Sequence, residues 1–109
     1  MKFYLHTRGN IFEYEANSIR EAFRKFFLDV KNGKIPVSEL GQIILCSNVK
    51  NDIDNAVVCR VAPILFALNI IDLDTYRDNV ALIAGSDEEF SDGELLLWAE
   101  NDSSYIFGK

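Results

Sequence analysis

The 109-residue chain is 49% hydrophobic and 26% charged, which excludes a disordered segment and suffices for one folded core. Its net charge of −6 is unevenly spread: Met1–Lys50 holds eight Lys/Arg against five Asp/Glu, and Asn51–Lys109 three against twelve, giving +3 and −9. That balance argues against a polyanionic ligand and points to a basic protein partner or to head-to-tail self-association.

Lys2–Arg8 and Ile11–Ala16 alternate in polarity, with Gly9-Asn10 between them. Glycine first in a two-residue loop suits a type II′ turn, so a β-hairpin is expected here. In that register Phe3 faces Ala16, Leu5 faces Tyr14 and Thr7 faces Phe12 on an apolar side. His6 then faces Glu13, and Tyr4 faces Glu15, on a polar one. Ser18-Ile19-Arg20-Glu21 reads as a capping box. Ile19, Ala22, Phe23, Phe26, Phe27 and Val30 follow at helical spacing, and Lys31 with Asn32-Gly33 closes the helix.

Beyond Gly33 the pattern loosens. Residues 35–40 form a connector with room for one helical turn, Gln42–Ser47 is a short apolar strand, and Asn48–Asn55 is polar loop. Ala56–Ala62 reads as strand or as helix, because its valines favour one and Asp54 could cap the other. Pro63 fits the first turn of a helix running to Asn69. Asp72 or Asp74 caps a helix with Tyr76, Val80 and Ile83, whose end, Val80–Ala84, has strand as its alternative reading. Ser86–Gly93 is an acidic loop. Glu94–Glu100 and Ser104–Phe107 are expected to form a terminal hairpin, bringing Trp98 near Phe107. The expected architecture is thus a single α+β domain over residues 1–109. It consists of a β-β-α opening, a further buried strand, one or two short helices, and a C-terminal hairpin in a mostly antiparallel sheet.

Chemistry-bearing patterns are sparse. His6 is the one histidine, so Ser-His or Cys-His machinery would have to use it, and opposite Glu13 it reads as a cross-strand pair. Cys46 and Cys59, thirteen residues apart in apolar runs, match neither CxxC nor a zinc framework and read as buried reduced thiols in a cytoplasmic protein. The acidic loop departs from the EF-hand spacing, and the six glycines fit neither GxGxxG nor the phosphate-binding GxxxxGK[ST]. No metal, cofactor or catalytic residue is therefore assigned. The interrupted apolar run Val61–Ile71 is too short to span a bilayer. Arg20, Arg24, Lys25, Lys31 and Lys34 give the first helix a basic side, which the overall acidity offsets as a nucleic-acid surface.

Two functional readings follow. The first is a non-catalytic interaction or regulatory module whose partner surface includes Asp87, Glu88, Glu89, Asp92 and Glu94. The second is a metabolite-binding protein or small enzyme with a polar pocket on the outer sheet face, built from Tyr4, His6, Glu13 and Glu15. A third, mimicry of nucleic acid by the carboxylates, lacks a regular phosphate-like spacing.

Overall fold

A computed structural model of the chain describes residues 1–84 and 90–108. The protein is α+β, with a four-stranded antiparallel sheet and four α-helices. It divides into two compact units, Met1–Val61 and Ala62–Lys109.

The first unit contains β1 (Lys2–His6), β2 (Ile11–Glu15), α1 (Ile19–Lys31), a 3₁₀ turn at Val37–Glu39, β3 (Ile43–Ser47) and β4 (Val57–Arg60). The strand order is β2-β1-β3-β4. The hairpin forms, but its turn sits one residue earlier than the sequence suggests. The Thr7 N–H donates to the Asn10 carbonyl at 2.9 Å, so Arg8-Gly9 forms the loop, with Gly9 at φ 112°. Moving a turn by one residue moves the partners by two. Phe3 therefore pairs with Tyr14, Leu5 with Phe12, Tyr4 with Glu13, and His6 with Ile11. An even shift keeps every side chain on its face, which is why the alternation was legible although the register was not.

α1 covers the inner face of this sheet. Ala22, Phe23, Phe26, Phe27 and Val30 are buried, as their spacing requires. Phe26 meets Phe12, Tyr14 and Phe27 edge-to-face at centroid distances of 5.6, 6.1 and 5.4 Å. Each such pair adds about 0.5–1.5 kcal/mol to the burial itself. At the helix start the Ser18 hydroxyl accepts the Glu21 N–H at 3.1 Å, and the Glu21 carboxylate pairs with Lys25 at 3.5 Å. At its end Gly33, at φ 81°, donates to Val30, and Lys34 donates to Asp29. This double return is a Schellman motif, in which the Lys34–Asp29 ion pair at 4.0 Å stands where an apolar contact is usual.

The ambiguous segment resolves at one residue. Val57–Arg60 is strand, and α2 (Val61–Ala67) begins directly after it. Pro63 lies in the first helical turn, where its missing N–H leaves no bond unmade. α2 ends with Asn69 at φ 61°, where the Asn69 and Ile70 N–H groups return to the carbonyls of Phe66 and Leu65.

The second unit is helical, with α2 followed by α3 (Leu73–Ala84) and α4 (Asp92–Phe107). Asp72 is the cap of α3, accepting the Thr75 N–H at 2.8 Å, and Val80–Ala84 is helix. The core here joins Ala62, Tyr76, Val80, Leu95 and Ala99, flanked by Phe66, Ile71, Leu73, Phe90 and Trp98. Tyr76 is fully buried, stacks on Phe66 at 5.0 Å, and donates its hydroxyl to the Leu95 carbonyl at 2.8 Å.

The expected terminal hairpin is wrong: residues 92–107 are one helix. A short apolar run such as Leu95–Ala99 does not distinguish strand from helix by itself, but the flanking signals were present. Ser91 and Glu94 form a complete capping box, and Gly108, at φ 72°, closes the helix. Leu95, Ala99 and Ile106 are its buried residues, at offsets 0, 4 and 11 on one helical stripe. Trp98 consequently packs on Phe90, with centroids 5.6 Å apart, rather than approaching Phe107 across a hairpin. The acidic-loop reading of Ser86–Gly93 fails at its end, where Asp92 and Gly93 belong to α4; residues 86–89 lie outside the described residues.

Candidate functional site

The outer face of the sheet, turned away from α1, collects the four residues singled out as a ligand site. Tyr4, His6, Glu13 and Glu15 all lie on it, with Tyr4 opposite Glu13 and Glu15 opposite Lys2. The expected His6–Glu13 pair is corrected by the register. His6 stands between Ile11 and Leu45, and its Nε2 lies 2.8 Å from the Lys50 carbonyl. A backbone carbonyl only accepts, so Nε2 is the donor of this contact. Glu13 pairs with Lys2 at 4.0 Å, and Glu15 with the N-terminal amine at 3.7 Å, both in exposed settings. Exposed pairs of this kind contribute little and exchange easily.

The register also reveals what the polar reading concealed. Ile11, His6, Leu45 and Val58 line up across all four strands in one row, and Ile43 lies in the next row opposite Arg60. Ile11 and Ile43 are each 43% exposed, and Val58 57%. The outer face is therefore an open, mixed surface with an apolar band. At its other end Ser47 is buried, and its hydroxyl accepts the Val49 N–H as the chain turns toward Lys50.

The inner-face titratable groups serve packing. Tyr14 donates its hydroxyl to Asp29 at 2.7 Å. Burial first, then that bond and the Asp29 charge, holds its phenol well above the ordinary tyrosine range. Cys46 is buried, and burial pushes its thiol up to about 11. Cys59 is half-buried, which corrects the expectation that both thiols are buried: its strand has only four residues and forms the sheet edge. At pH 8 a maleimide should therefore label one thiol, Cys59, at least tenfold faster than the other, counted by intact mass. Equal rates would show that Cys46 is not enclosed.

Of the five acidic residues read as a partner surface, Asp87, Glu88 and Glu89 lie outside the described residues. Asp92 bonds to Arg77, which also holds Asp74 at 3.2 Å. Glu94 completes the capping box, with Ser91 Oγ 3.0 Å from its Oε1. Asp72 caps α3, and the Thr75 backbone N–H holds its carboxyl below the usual range. Several of these carboxylates thus have local structural partners. A groove of about 460 Å³ also runs along α4, lined by Phe66, Ala67, Leu96, Ala99, Glu100, Ser103 and Ser104. It escaped the sequence reading because a hairpin there would have split its residues between two strands.

Among the described residues, no three of His, Cys, Asp and Glu converge as metal ligands, and no helix is long and apolar enough to cross a membrane. No protein-family model, curated protein or solved structure matches this chain.

Proposed function

We propose that the protein is a non-catalytic interaction or regulatory module whose helical unit presents an acidic surface to a basic protein partner. One observation carries this reading: the two compact units carry net charges of opposite sign. Met1–Val61 holds nine Lys/Arg against seven Asp/Glu, net +2, while Ala62–Lys109 holds two against ten, net −8. Among the described residues of the second unit Arg77 is the one basic side chain, and Asp74 and Asp92 both engage it. Asp78 and Glu100 are exposed on α3 and α4. A field of one sign speeds encounter with an opposite surface and discriminates among partners, while affinity comes from buried contacts.

The test compares the protein with an Asp78→Lys, Glu100→Lys variant as bait for lysate of its source at about 50 mM salt, inside the range where screening is weak. The expected result is a stoichiometric basic protein, released by moderate salt and retained at least tenfold less by the variant. Equal retention by both baits, or a retained partner that is itself acidic, sinks the proposal.

A further inference from the structure

The outer sheet face has a second property, independent of the acidic helices: Glu13, which Lys2 approaches to 4.0 Å from the row beyond, and Arg60 stand at opposite corners of its three central rows. Glu13 lies on the edge strand β2, one row to one side of the Ile11–His6–Leu45–Val58 band. Arg60 lies on the other edge strand, β4, one row to the opposite side. Both residues are exposed, and Arg60 also makes contacts within its own chain.

From this we infer that the face binds a second copy of itself. Consider two such faces apposed about a two-fold axis lying between them, along the diagonal that bisects the strand and cross-strand directions. That operation exchanges the two corners. Each copy's Glu13 meets the other's Arg60, twice by symmetry, and each Ile11 comes over the other's Ile43, with Leu45 near the axis. The strands of the two sheets then cross near 90°, one of the two geometries in which sheets pack. A two-fold interface needs a surface that complements itself, and opposite charges at exchanged corners around an apolar centre meet that condition. The alternatives match less well. Rotation about the strand direction places Glu13 and Arg60 in different rows, and rotation about the cross-strand direction stacks each edge strand on its own copy.

The size of the face sets the strength. Four strands at about 4.8 Å and three rows at about 6.8 Å span roughly 14 Å each way between Cα positions. With side chains the face projects about 400 Å², against the roughly 800 Å² per partner of a standard stable interface. The dimer therefore belongs to the weak, reversible class of association.

Sedimentation equilibrium of the full chain, from about 10 µM to about 1 mM at low salt, reads this directly. Wild type should pass from monomer to dimer. Val58→Asp should raise the dissociation constant at least tenfold, with an unchanged far-UV spectrum showing that the sheet is intact. Glu13→Arg and Arg60→Glu should each weaken the dimer about tenfold by facing like charges twice, and the double variant should recover most of the loss. A chain that stays monomeric throughout overturns the inference. So does a dimer indifferent to Val58→Asp, or a double variant no better than the singles.

Discussion

Replacing Phe26 by alanine should lower the unfolding free energy of the sheet-bearing unit by about 4 kcal/mol, the middle of the range for Phe→Ala in a core. The side chain is fully buried and is the shared member of three edge-to-face pairs, with Phe12, Tyr14 and Phe27. Its removal takes away the buried ring and opens a cavity whose walls belong to β2 and α1. Those walls cannot close easily, because β2 is held in register by β1 and α1 by its caps. Urea unfolding followed by far-UV circular dichroism measures the loss. Leu28→Ala on the same helix is the control: Leu28 is 40% exposed, and its truncation should change stability by no more than about 0.5 kcal/mol. A Phe26→Ala cost below about 1.5 kcal/mol would mean that α1 is not seated on this sheet through Phe26.

Tyr76 should show the largest effect in the helical unit, and two substitutions separate its parts. Tyr76→Ala should cost about 4 kcal/mol, because the ring is fully buried and stacked on Phe66. Tyr76→Phe keeps the ring and removes only the hydroxyl that donates to Leu95, and should cost about 1 kcal/mol. Trp98, the single tryptophan of the chain, packs against this core, so its fluorescence follows the transition. If Tyr76→Phe matched Tyr76→Ala, the hydrogen bond would outweigh the packing, contrary to the burial of the ring. If neither moved the transition, the α3–α4 core would be misassigned.

The site residues show the limit of reading a face without its register. Tyr4, His6, Glu13 and Glu15 share one surface as expected, since parity alone decides the face. The partner of His6 differs from expectation, because a turn displaced by one residue exchanges Glu13 for Ile11. Once β3 and β4 are paired, the supposed polar patch becomes a band with Leu45, Val58 and Ile43 in it. Nothing local to residues 1–16 announces those neighbours. The acidic residues present the reverse case: their charge is legible from composition, whereas the engagement of Asp92 by Arg77 and of Glu94 by Ser91 depends on α3 and α4 being helices.

What the sequence determined by itself was local and periodic. The stripe from Ala22 to Val30, the Ser18 cap, the Gly33 stop and the in-or-out alternation of β1 and β2 follow from backbone geometry and side-chain spacing within a few residues. The concentration of acid in the second half followed from counting. The tertiary structure decided the rest. Short apolar runs such as Leu95–Ala99 satisfy either period, and burial against Tyr76 and Val80, together with the Ser91–Glu94 capping box and the Gly108 stop, selects the helix. Strand order, cross-strand partners and the boundary after Val61 likewise depend on contacts between residues far apart in the chain, whose free energies no local pattern encodes.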